Sequence, residues 1–111
     1  MSNLLEEIQQ VISNELERIN KTQLNFHSPH EAYAVIKEKC ECANKKFRQT
    51  KRFVKEFWKG VKEENVAYYA EALMATGDCA IECAVEVIRV AIAAQKTLDC
   101  INKTKTPIGA A

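Results

Sequence analysis

Apolar residues recur every three or four positions along almost the whole chain, the period of an amphipathic α-helix rather than the alternation of a strand. Leu4, Leu5, Ile8, Val11, Ile12, Leu16 and Ile19 define a first helix of about five turns. Lys21 to His27 is polar and irregular and reads as a connection. Ser28-Pro29-His30-Glu31 then gives the sharpest local signal: a hydroxyl to cap orphan N–H groups, proline at the first helical position, and the acid of a capping box. The helix it opens carries Tyr33, Ile36, Cys40, Ala43, Phe47, Val54, Phe57, Trp58 and Val61 on one side, with a bend expected near Gln49-Thr50. From Val66 a third helical region runs to about Ile101, and Thr76-Gly77-Asp78 is its weak point, because glycine costs helix stability and Thr or Asp can cap a restart. The pattern predicts an all-α bundle of about four helices, one domain over residues 1–102, and a flexible tail over 103–111 that contains Pro107 and Gly109.

Composition narrows the class. With 111 residues, 47% hydrophobic and 28% charged, the chain can bury a single core and does not read as disordered. Three glycines and two prolines are too few for a many-stranded sandwich or barrel. The net charge of +1 speaks against binding nucleic acid by bulk charge. No signal peptide is visible, and the most apolar window, Cys79 to Ala94, is interrupted by Glu82, Glu86 and Arg89; a cytoplasmic chain with no membrane partner is expected. Its five cysteines are then expected to be reduced. Cys40/Cys42 and Cys79/Cys83 match no usual zinc spacing and are expected as small buried hydrophobes.

Charge is unevenly distributed. Asp78, Glu82, Glu86 and Arg89 form a narrow stripe on a helix that is otherwise apolar nearly all round, and such a helix is expected to be buried. Carboxylates one turn apart repel, and burying them requires neutralisation, protonation or a cation. A divalent-cation site accounts for the stripe; a solvated edge partly neutralised by Arg89 is the plainer alternative. Glu38 and Glu41 form a second acidic pair, three apart on the earlier helix, and together the two pairs supply the hard oxygen donors that Mg²⁺ requires. An exposed Glu41/Lys45 ion pair is the plainer reading of that helix. Between the acids, Lys45, Lys46, Arg48, Lys51, Arg52, Lys55, Lys59 and Lys62 form a basic segment; all but Lys46 fall on one side. A basic face beside carboxylates suits a metal-bound polyphosphate, nucleic-acid phosphates, or water alone.

Phe26 to Glu38, with its Ser28-Pro29-His30-Glu31-Ala32-Tyr33-Ala34-Val35 core, resembles the segment that opens the first acidic helix in the phage-type, MazG-like branch of the all-α nucleoside triphosphate pyrophosphohydrolases. Glu86-Val87-Ile88-Arg89-Val90-Ala91 is similar to that branch's second motif, and the resemblance covers about residues 24 to 99. It implies a helical bundle assembled as a homodimer or homotetramer, with Mg²⁺ (or Mn²⁺) as cofactor and a nucleoside triphosphate as substrate, cleaved by water to the monophosphate and pyrophosphate. Carried over by position, Glu38, Glu41 and Glu86 are metal ligands and Glu82 is a substitute ligand. Glu41 also orients or deprotonates the attacking water, while Lys45 and Arg89 stabilise phosphate charge. Arg89 stands where the family has the last Asp of its ExxD motif, so Glu82 or Asp78 completes the site or the site is degenerate. The spacing from Glu41 to Glu86 is also longer than the family pattern. A non-catalytic helical interaction protein of phage or mobile-element type, with the same fold, is the alternative.

Overall fold

In the computed structural model of the chain, residues 3–22 and 28–110 are described, with side chains over 3–19 and 28–102. All regular structure among them is helical: α1 (Leu4–Thr22), α2 (Pro29–Lys62) and α3 (Val66–Ala110). Three helices therefore stand where the pattern predicts about four. α2 runs unbroken through Gln49-Thr50, and the restart expected at Thr76 is absent from α3. The Thr50 hydroxyl donates to the Lys46 carbonyl at 2.9 Å and the Thr76 hydroxyl to the Ala72 carbonyl at 2.7 Å. Each threonine is thus satisfied inside its own helix and is not available to cap a new one. Gly77 alone does not break α3. The connection over 23–27 and the side chains of the expected tail over 103–111 lie outside the described residues.

The helix starts are capped as their sequences require. Asn3 Oδ1 accepts from the Glu6 N–H at 2.9 Å, and Ser28 Oγ accepts from the Glu31 N–H at 3.2 Å.

The chain divides into two compact units, Met1–Glu38 with Ile88–Ala111, and Lys39–Val87. In the first, Ala32, Ile92, Ala93 and Lys96 are buried, and Leu4, Leu5 and Val11 of the expected α1 stripe are exposed. The second is a helical hairpin made of the later part of α2 and the earlier part of α3.

The hairpin turn is economical. The Asn65 N–H bonds the Gly60 carbonyl at 3.0 Å and the Glu64 N–H bonds the Val61 carbonyl at 3.1 Å, the pair of bonds that defines a Schellman end to α2. Glu64 takes the left-handed position of that motif, with φ of 55°. Asn65 then turns round and caps α3, its Oδ1 accepting from the Tyr68 N–H at 3.1 Å.

Beyond the turn the helices pack through a heptad seam. Lys46, Thr50, Phe53, Phe57 and Gly60 of α2 face Tyr69, Ala72, Thr76, Cys79 and Cys83 of α3, every one of them buried or half-buried. Phe57 and Tyr69 meet edge to face at 5.9 Å, and the Cys83 thiol donates to the Ala43 carbonyl at 3.4 Å. At Gly60 the approach is closest: a Cβ there would lie 2.7 Å from Tyr69 Cβ and 3.0 Å from its backbone nitrogen. Backbone cannot retreat from such an overlap without opening the hairpin.

Two substitutions probe this turn. Glu64→Gly removes the steric cost of the left-handed conformation and should stabilise the fold by about 1 kcal/mol. Gly60→Ala forces the helices apart and should destabilise by roughly 1–3 kcal/mol, the ordinary range for overpacking. Thermal melts of both variants against wild type check the two signs; a neutral Gly60→Ala would mean the helices are not held this close.

Candidate functional site

The later part of α2 is strongly basic and the facing part of α3 is acidic. Residues 39–62 hold nine Lys or Arg against two Glu, and residues 66–87 hold four acids and no Lys or Arg. Packing them antiparallel sets unlike charges beside each other on one face of the hairpin. Lys46, the one base of its segment that does not share the basic side, sits in the seam and reaches across to Glu82, Nζ to Oε2 at 2.8 Å. Tyr68 donates its hydroxyl to Glu56 nearer the turn, on the same face. The Glu82 hydrogen bond, and then the charge of Glu82, raise the Lys46 ammonium above its ordinary 10.5; partial desolvation opposes this, and Cys79 and Glu86 contribute in the raising direction. Both partners are substantially exposed, so the pair matters more for where it places charge than for stability.

The expected site residues are distributed as follows. Glu41, Lys45, Glu82 and Glu86 belong to the hairpin unit, toward the end away from the turn, whereas Glu38 and Arg89 belong to the other unit. Glu82 and Glu86 lie on the side of α3 toward α2, with Glu86 half-buried and Glu82 exposed. Glu41 is exposed on the side of α2 away from the seam, about 180° round the helix from Thr50 at 100° per residue. The hairpin thus joins Glu82 to Lys46 rather than to Glu41. Among the described residues no group of three or more His, Cys, Asp or Glu stands close enough together to hold a metal ion. The donor chemistry suits a hard cation, but these positions do not gather it into one shell.

Two expectations about burial are corrected. The earlier part of the α3 stretch that is apolar nearly all round is not enclosed within this chain, since Ile81 is 65% exposed and Val85 and Val87 are also open, whereas Ile92 and Ala93 further along are buried as expected. Asp78, Glu82 and Arg89 of the stripe are therefore exposed and only Glu86 is half-buried, so burial does not demand a cation. On α2, the expected core stripe divides, with Ala43 and Phe57 turned to the seam and Tyr33, Phe47, Val54 and Trp58 left exposed. All five cysteines are free, and Cys40 is exposed rather than buried.

Lys46 is the functional-face residue that the motif reading passed over, and its position off the basic side was the signal that marked it. No protein-family model, curated protein or solved structure matches the chain. No helix among the described residues is long and apolar enough to cross a membrane.

The Lys46–Glu82 pair makes a pH prediction. A raised lysine pKa stabilises the fold below the unfolded value and loses that contribution only as pH climbs through the folded one. The contribution is thus constant through neutral pH and disappears above about 10.5. An NMR titration of the Lys46 Cε resonance should give a midpoint above that value, falling back toward it in Glu82→Gln. A midpoint indifferent to Glu82→Gln would remove the pair.

Proposed function

We propose that the protein is a MazG-like, all-α nucleoside triphosphate pyrophosphohydrolase-like protein, Mg²⁺- or Mn²⁺-dependent and assembled from more than one copy. The observation that carries the proposal is the antiparallel packing of α2 on α3, which sets Glu82, and Glu86 one turn on, beside Lys46 of α2. The Ser28 cap that opens α2 supports it, since it forms where the resembling segment requires a helix start. In this reading the resemblance assigns Glu38, Glu41, Glu82 and Glu86 to the metal and Lys45 and Arg89 to the phosphates, and of these the hairpin itself sets only Glu82 and Glu86 side by side. Metal-assisted hydrolysis needs no Ser, Cys or His nucleophile. Attack of water on the triphosphate breaks one phosphoanhydride bond and releases monophosphate and pyrophosphate. Binding of the ion would require Glu82 to exchange its Lys46 partner for the metal.

A second reading is favoured by that same contact. With Lys46 on Glu82 and a cation, Arg89, at the place of the family's final acid, the fold serves as a non-catalytic interaction module.

Titration of Mn²⁺ into the full chain, with assay of pyrophosphate release from a nucleotide panel, separates the two. Saturable binding and turnover, both lost in Glu86→Gln, are expected, and Lys46→Gln should tighten metal binding several-fold by freeing Glu82. A folded wild type that neither binds metal nor releases pyrophosphate leaves the interaction reading alone standing.

A further inference from the structure

The side of α2 turned away from α3 is basic from Lys45 to Lys62. At about 100° per residue, the seven Lys and Arg of this run other than Lys46 fall within roughly 120° of arc, centred opposite the seam. All seven are exposed, and none has an ion-pair partner among the described residues. The acids lie elsewhere. Glu56 turns to the Tyr68 hydroxyl and Glu82 to Lys46, while Glu41 and Glu63 stand only beyond the two ends of the run. Stability does not account for this face. Within it seven pairs of like charges stand three or four residues apart, and such pairs are unfavourable on a helix. The whole-chain charge of +1 conceals this concentration.

One rim of the basic face carries aromatic rings. Lys51 Nζ lies 4.8 Å from the centroid of the Phe47 ring, and Lys62 Nζ lies 5.8 Å from that of Trp58. The two rings are 49% and 59% exposed. An ammonium and an open aromatic surface therefore stand together twice, roughly 16 Å apart along the helix axis.

We infer that this face of α2 binds single-stranded nucleic acid, with its cations on the phosphates and Phe47 and Trp58 stacked against nucleobases. Spacing is the first reason. Seven cations over about 26 Å give one per about 4 Å, close to the 3.4 Å of axis per phosphate along one strand of a duplex. The second is the coupling of ring to ammonium. A nucleotide presents a flat base beside a phosphate, whereas an acidic peptide presents charge alone, and a duplex keeps the faces of its bases inside the stack. Direction is the third. A bilayer seated on the apolar stripe of Phe47, Val54 and Val61 would leave Lys45, Arg52 and Lys59 about 130° or more round the helix, turned away from its headgroups. DNA and RNA share the chemistry of phosphate and base, and they form separate arms of the test.

This inference is independent of the functional reading: of the seven cations only Lys45 figures there, and the variants below leave it in place. Fluorescence anisotropy of labelled 20-nucleotide oligothymidylate and oligouridylate with the full chain, in EDTA and about 50 mM salt, should show saturable binding of one or both. The logarithm of affinity should fall against the logarithm of salt concentration with a slope of about −4 to −5, or about 0.7 for each phosphate contact. The triple variant Arg52→Gln, Lys55→Gln, Lys59→Gln should bind at least tenfold more weakly and with a slope shallower by about 2, while far-UV circular dichroism stays helical. Trp58→Ala should weaken binding about tenfold, and the emission of Trp58, the sole tryptophan, should be quenched when oligonucleotide is added to wild type. Failure to bind either oligonucleotide overturns the inference, as does an affinity unchanged in the triple variant. Equal affinity for polyaspartate assigns the face to an acidic protein, and binding to phosphatidylserine vesicles but not to oligonucleotide assigns it to a membrane; each overturns the inference. So does equal affinity for a 20-base-pair duplex with unchanged Trp58 emission. Oligonucleotide binding without pyrophosphate release sinks the functional reading alone, and pyrophosphate release without oligonucleotide binding sinks this inference alone.

Discussion

How closely two helices can approach is set by what stands between them, and in the hairpin very little does. Gly60 has no side chain to hold Tyr69 away, and Ala43, Ala72, Thr50, Thr76 and the two seam cysteines are all small. A seam built this way is thin, apart from Lys46, Phe53 and the edge-to-face pair of Phe57 and Tyr69 near the turn. Bulk must therefore go elsewhere. The valines, Leu73, Phe47 and Trp58 are displaced one position round their helices, and an apolar face follows directly from the thinness of the internal one.

The same geometry sorts charge. Because α2 is basic and the first half of α3 is acidic, close packing lowers the self-repulsion that each helix would suffer alone. Lys46 is the visible instance, a base placed in the seam and drawn to the α3 carboxylate across from it. Any cation that visits Glu82 competes with a tethered one that is always present at the same carboxylate. The ammonium is thus a counter-ion to the carboxylate that the proposed metal reading assigns to a divalent ion.

Much of the fold is legible in the residues. The period of three or four identifies the helices, Ser28-Pro29-His30-Glu31 locates the start of α2, and the polar run at 62–65 separates α2 from α3. What sequence could not supply is which of two adjacent stripes each helix turns inward. Phe47, Val54 and Trp58 look like core because they are large, and the true seam looks unremarkable because, beside Phe53, Phe57 and Tyr69, most of its members are Thr, Ala, Cys and Gly. Thr50 and Thr76 are ambiguous for a similar reason: one hydroxyl can cap a new helix or bond back into the old one, and only the surroundings decide. The site was less legible than the fold. Glu38, Glu41, Glu82 and Glu86 can be picked out by type and spacing, but the side of α2 that bears Glu41 depends on the seam, and the seam was hidden.

The turn between α2 and α3 has a consequence for how this chain can vary by descent. Surface connections usually tolerate gained or lost residues, since a few more units of loose chain cost little. Here the three residues have no slack, because Asn65 is at once the last element of one helix end and the cap of the next helix. Insertion of a single residue within α3 just after that cap would turn everything downstream by about 100°. The acidic edge would then rotate toward the seam, and the small residues that permit close approach would turn away. Length variation in this segment is therefore excluded by geometry, and relatives of the chain are expected to keep the number of residues here more faithfully than their identity.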